Sequence, residues 1–173
     1  MPFFDELEQA NAAYVASGEH EDLPVRPSRQ LAVVTCMDAR IDVYSVLGLS
    51  LGDVHVIRTA GGRVTEDVLR SLALSCHLLG VRRVAVITHT DCGLFDPDGR
   101  LPDKMAEVMG HPPATRQWGG FTSPERAVEE DCVLLGSWPD CPEDLELAGY
   151  VLDVTDGSLR NVVTRHSAGT ATS

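Results

Sequence analysis

Two short stretches hold most of the side chains able to do chemistry, Cys36-Met37-Asp38-Ala39-Arg40 and His89-Thr90-Asp91-Cys92. Cys36, His89 and Cys92 offer two thiolates and one imidazole, the donors that Zn2+ prefers. Three protein ligands leave a fourth position for water, whereas structural zinc sites usually close with four, so the count points to catalysis. Bound zinc lowers the pKa of water to about 7 and so provides a hydroxide nucleophile at neutral pH. Asp38 and Arg40 follow the first cysteine closely enough to reach the open side of such a metal. Two roles are open to the carboxylate. It can accept a hydrogen bond from the water and orient the attacking lone pair, held in place by the fork of Arg40. Alternatively, it can bind the metal itself as a fourth ligand, which displaces water and silences the site, so that release from Arg40 acts as a switch. Asp91, between two ligands, is expected to hydrogen-bond loop amides.

These groups must be brought together by secondary structure. Residues 31–35 (LAVVT), 54–57 and 83–88 are short apolar runs of the kind buried on both faces of a parallel sheet. Between them, residues 41–47 and 66–79 read as helices, the second opening at a Thr65 cap and closing at Gly80. The alternation of strand and helix argues for a parallel sheet with right-handed crossovers. Cys36 then stands immediately after the first strand and His89 immediately after the third. In such folds ligands bind beyond the carboxyl ends of the strands.

Farther along, residues 102–109 read as a short helix and 111–122, rich in Pro and Gly, as a surface loop. Ser123-Pro124 opens another helix, running to about Gly136. Residues 150–154 and 159–163, on either side of Asp156-Gly157, predict a hairpin that supplies an edge strand. Upstream, Phe3, Leu7, Ala10 and Tyr14 draw one apolar stripe on a helix ending near Gly18, and ordinary core packing is its plainest use. An extended connection with Pro24 and Pro27 follows. The expectation is a single α/β domain over residues 1–173: a mostly parallel central sheet flanked by helices, with an antiparallel edge hairpin near the C-terminus. Residues 164–173 are expected to form a disordered tail.

Composition narrows the function. The chain has 173 residues, 43% apolar and 23% charged, which suits one globular domain with its own core. With 26 acidic against 14 basic residues the net charge is -12, which disfavours nucleic acid or an anionic membrane as partner and favours a small-molecule substrate. No apolar run approaches the ~20 residues that cross a bilayer. The first residues show no basic segment leading into an apolar stretch, so cytoplasmic residence is expected. Five cysteines in a reducing compartment are expected to ligate metal or to be buried rather than paired. Cys76 falls on the apolar stripe of the 66–79 helix and reads as core. Cys132 and Cys141 lack a matching metal-binding pair, and His20, His55, His77, His111 and His166 stand isolated. Gly61-Gly62 reads as a loop needing positive φ or close backbone approach, or as part of the substrate pocket beside the metal.

The run CMDAR, then VIRTAGG, then HTDCG resembles the beta-class carbonic anhydrases, with a match over roughly residues 31–94. The resemblance implies a parallel-sheet core, zinc held at Cys36, His89 and Cys92, and an Asp38–Arg40 pair beside it. It also implies a homodimer or a dimer of dimers, with the helix of residues 1–18 laid across a partner subunit. The activity it implies is reversible hydration of carbon dioxide to bicarbonate by zinc-bound hydroxide, a carbonate dehydratase reaction. Two departures bear on substrate choice. Arg58-Thr59-Ala60-Gly61 stands where many members read Arg-Asn-Ala-Gly, and the segment after Cys92 is short, with residues 95–99 forming a turn. Compact relatives hydrolyse carbon disulfide or carbonyl sulfide, which is the alternative activity. An alternative of another class is a silent zinc-binding regulatory relative in which Asp38 stays on the metal.

Overall fold

Three apolar runs pair as parallel strands in the computed structural model, which describes residues 2–18, 22–115 and 117–165. They are β1 (Leu31–Cys36), β2 (Val54–Thr59) and β3 (Arg83–His89). β4 (Glu146–Leu152) joins β3 in parallel, and β5 (Leu159–Arg165) closes the sheet antiparallel to β4, giving the order β2-β1-β3-β4-β5. The expected architecture and edge hairpin are therefore present. β5 runs to Arg165, so Thr164 and Arg165 are strand and not tail. The rest of the expected tail, with His166, and also His20, lie outside the described residues.

Alternate side chains of the inner strands point to opposite faces, and each face has its own core. On one face Ala32, Val34, Val84 and Val86 pack against Val68 and Leu72 of helix α3 (Glu66–His77) and Val128 and Leu135 of helix α5 (Pro124–Ser137). In the described chain α2 (Val43–Leu47) is the one short helix packed on the other face, where Val33, Ala85 and Ile87 meet Ile41, Val43 and Phe121. Cys76 and Cys132 are buried in the first core. Desolvation pushes the Cys76 thiol up to about 11, which suits an inert packing group.

Helix boundaries follow their caps. The Ser123 hydroxyl accepts from the Arg126 amide and Pro124 opens α5, as its sequence indicates. Thr65 precedes α3 with extended backbone, but its side chain makes no cap bond. β4 starts at Glu146, ahead of the expected position, because pairing with β3 overrides the weak strand propensity of Glu146 and Gly149. Gly149 serves close approach: a Cβ there would lie 2.2 Å from Val128 Cγ1 and 3.1 Å from Cys132 Sγ. Helix α4 (Leu101–Met109) precedes the expected loop, which returns to the body where Phe121 bridges to Phe95.

Helix α1 (Phe3–Ser17) ends on Gly18 in the left-handed conformation, but it buries no residue, so its stripe does not serve this chain's own core. A buried ion pair completes the frame. Arg63 donates from Nε to Asp131 Oδ2 at 2.9 Å and from Nη2 to Asp131 Oδ1 at 3.1 Å, which fastens the segment before α3 to α5.

Gly149→Ala should push β4 away from α5 and lower stability by about 1–3 kcal/mol, the usual cost of overpacking. Thermal unfolding followed by circular dichroism would measure it, with a lowered Tm as the expected result.

Candidate metal centre

Parallel pairing of β1 with β3 sets Thr35 opposite Ile87, so both strands reach the same edge with Cys36 and His89 as their last residues. The two residues end their strands instead of following them, a difference of one position from the sequence reading. Cys92 comes back to them on the tight turn after His89. One donor atom from each of the three lies within 4.8 Å of the others, and all three residues are buried. His89 is wholly buried, and its Nδ1 lies 2.8 Å from the Thr90 carbonyl oxygen. Donation to that carbonyl puts the proton on Nδ1 and leaves Nε2 with its lone pair, the state a metal ligand needs. Nε2 is buried without a hydrogen-bond partner, a costly condition unless it serves a ligand. The mutual hydrogen bond of Cys36 and Cys92 pulls the two thiols apart in acidity, Cys36 toward the thiolate and Cys92 toward the protonated thiol. A divalent cation is what would hold both as thiolates.

Asp38 and Arg40 stand at the mouth of this cluster. Arg40 donates from Nε to Asp38 Oδ1 at 3.0 Å and from Nη2 to Asp38 Oδ2 at 2.7 Å, the fork expected from their types. The Arg40 backbone amide also donates to Asp38 Oδ1. These bonds hold the Asp38 carboxyl well below the usual carboxylate range, so it is an acceptor at any ordinary pH. Its Oδ2 lies 3.9 Å from His89 Nε2. Among the described residues Asp91 accepts from Arg40 and from no loop amide.

Sequence reasoning missed Arg58. From β2 it donates Nε to the Cys36 carbonyl at 2.9 Å and Nη2 to the Asp38 carbonyl at 2.5 Å. One guanidinium thus fixes the backbone under both the first sulfur ligand and the carboxylate. The available signals were its place in the VIRTAGG run, three residues before Gly61, and near the end of a strand neighbouring β1. Gly61 and Gly62 lie in a 3-10 turn (Ala60–Gly62) against this edge of the sheet. Gly62 has φ of 68°, and a Cβ there would come within 2.8 Å of the Ile87 carbonyl and 3.1 Å of the Cys36 amide. This is the positive φ and close backbone approach expected of the pair, since positive φ is what lets the backbone press against the ligand strand. Beyond Cys92, an apolar pocket of about 230 Å3 runs between residues 89–92 and the side chains of Phe95, Phe121 and Pro124.

Residues 31–111 match the family model described as carbonic anhydrase. The chain is 39% identical over 156 residues to beta-carbonic anhydrase 1 of Mycobacterium tuberculosis, covering 88% of this chain and 94% of that protein. The chain belongs to the beta-carbonic anhydrase family. A crystal structure of carbonic anhydrase from Streptococcus mutans superposes with a TM-score of 0.86 at 40% identity, covering 94% of this chain and 99% of that one. The same family reaches a carbon disulfide hydrolase from Acidianus sp., 33% identical over 157 residues and covering 77% of each chain. Zinc is the metal of beta-carbonic anhydrases, and the two sulfurs and orphaned imidazole nitrogen fit it.

Cys76, Cys132 and Cys141 take no part in the cluster. Among the isolated histidines, His55 pairs with Ser75, His77 with the Asp140 carbonyl and His111 with the Pro112 carbonyl. Arg58→Ala should free the carbonyls of Cys36 and Asp38 and weaken metal binding roughly tenfold, as loss of a supporting contact around a metal site does. Competition for zinc against a chelating dye would measure the change.

Proposed function

We propose that this chain catalyses reversible hydration of carbon dioxide to bicarbonate, with Cys36, His89 and Cys92 holding zinc and Asp38 and Arg40 as its catalytic pair. The observation that carries the reading is the Asp38 carboxylate, held ionised by Arg40 and aimed at the mouth of a buried two-thiol, one-imidazole cluster. Zinc, when bound, supplies a water acidic enough to attack carbon at neutral pH. Asp38 accepts a hydrogen bond from that water and sets the direction of its lone pair. Arg40 favours the ionised form of Asp38 and so keeps it an acceptor for the water. Arg58 and Gly62 hold the backbone on which this aim depends. Gly61 and Gly62 shape the wall of the substrate pocket beside Cys36.

Hydrolysis of carbon disulfide or carbonyl sulfide is the second reading. The apolar pocket against Cys92, walled by Phe95, Phe121 and Pro124, favours it, because such a wall suits a linear substrate without hydrogen-bonding oxygens. The attack on carbon is the same, and hydrogen sulfide leaves.

We also infer a homodimer or a dimer of dimers. The support is a pair of exposed apolar surfaces on one chain. Phe3, Phe4, Leu7 and Tyr14 of α1 are exposed. The thinly covered face of the sheet carries a groove of about 380 Å3, lined by Leu31, Leu47, Leu49, Ile87, Tyr150 and Leu159 among others. A helix of one copy laid in the groove of another covers both. No described helix is long and apolar enough to cross a membrane. A cytoplasmic location suits ligands that must stay reduced.

The purified protein should carry one zinc per chain and hydrate carbon dioxide in stopped flow, with both lost in Cys36→Ser. Zinc-loaded protein without hydration but with release of sulfide from carbon disulfide would favour the second reading. Removing residues 1–18 should lower the number of chains per particle, read by light scattering after gel filtration. An unchanged number would remove α1 from the interface.

A further inference from the structure

Asp38 occupies only one edge of the Arg40 guanidinium. On the other edge, Nη1 donates to Asp91 Oδ2 at 2.7 Å and Nη2 donates to the Asp91 backbone carbonyl at 3.0 Å. One guanidinium therefore bridges two carboxylates. One of them follows the first sulfur ligand, and the other stands between the imidazole and the second sulfur ligand. Asp91 has φ of 52°, a left-handed conformation that a side chain rarely adopts and that Asp and Asn tolerate best. In this conformation its carbonyl and its carboxylate both meet Arg40.

Asp38 Oδ2 is 3.9 Å from His89 Nε2, so a small swing would carry the carboxylate from Arg40 to the ligand cluster. Arg40 is what restrains it, and with the Arg40 side chain 46% exposed, its outer edge faces solvent wherever Asp91 does not hold it. A second anchor on the far edge takes away the freedom of the guanidinium to turn. We propose that Asp91 is a positioning residue: by holding the outer edge of Arg40 it keeps Asp38 on Arg40 and off the metal, so that the fourth coordination position stays open. This rests on the assignment of Cys36, His89 and Cys92 as ligands and of Asp38 as the orienting acceptor.

The test compares the metal-loaded protein with Asp91→Asn, which keeps the left-handed backbone and removes the charge, and Asp91→Ala, which removes the side-chain anchor. Zinc content, kcat and KM are measured for each. Azide affinity is then read by visible absorption with cobalt in place of zinc, since only an open coordination position takes the anion. Asp91→Ala should keep its metal and its KM within about twofold. Its kcat and azide affinity should fall together by roughly tenfold, as expected for loss of a charge-assisted hydrogen bond, with Asp91→Asn between. Variants that bind azide and turn over like the unsubstituted protein would overturn the proposal. So would loss of metal from both, which would make Asp91 a structural part of the ligand loop, and so would an unsubstituted protein that takes up no azide at any pH. A protein that binds azide but hydrates no carbon dioxide counts against the proposed activity instead, and the azide affinities alone then decide the role of Asp91.

Discussion

The metal cluster depends on a backbone register. β1 and β3 are neighbours, run in the same direction and pair Thr35 with Ile87, so each places its last side chain at one edge of the sheet. A shift of one residue in either strand would turn its side chains to the opposite face. The two cores on opposite faces of the sheet prevent that shift. Val33 and Val34 of β1 point to different cores, and both are fully buried, so a slip would misplace apolar groups on both sides at once. Burial of the inner strands on both faces therefore does more than stabilise the fold; it fixes the spacing of Cys36 and His89.

Holding the strand ends in register does not fix the peptide beyond them, where Asp38 must be aimed. Three contacts on the backbone do so. Arg58 ties the carbonyls of Cys36 and Asp38 to β2, Gly62 lets the 3-10 turn press on the Cys36 amide, and Arg63 fastens that turn to α5 through buried Asp131. Each is a strong directional contact near the sheet edge. The arginines do different work, since Arg58 holds backbone carbonyls while Arg63 holds the Asp131 carboxylate and Arg40 the Asp38 carboxylate. Arginine suits all three places because its planar fork satisfies two acceptors at once.

Much of this was legible in the residues. Short apolar runs gave strands, and Cys and His at their ends gave ligands, because parallel strands with buried faces have a distinctive composition and zinc has distinctive donors. What was not legible depends on contacts between distant segments. Arg58 was legible as part of the VIRTAGG run but not as a backbone clamp, because its two carbonyl acceptors, Cys36 and Asp38, lie at and just beyond the end of a neighbouring strand. Asp91 looked like a loop residue bonding nearby amides, while its partner Arg40 is 51 positions away. Gly149 fell outside the expected strand of residues 150–154, yet it is a strand residue pressed against Val128 and Cys132 of α5. In each case the deciding neighbour is remote in sequence, and periodicity and local propensity carry no record of it.

The apolar stripe on α1 shows the same limit at the scale of the whole chain. Periodicity reports that a helix has a face to bury, but not against what. The described chain places two helices, α3 and α5, over one side of the sheet and one short helix, α2, over the other. The metal cluster stands at the sheet edge between those unequal coverings, joined to the thinner side through the contacts of Cys36 and Cys92 with Val33, Ile87 and Phe121.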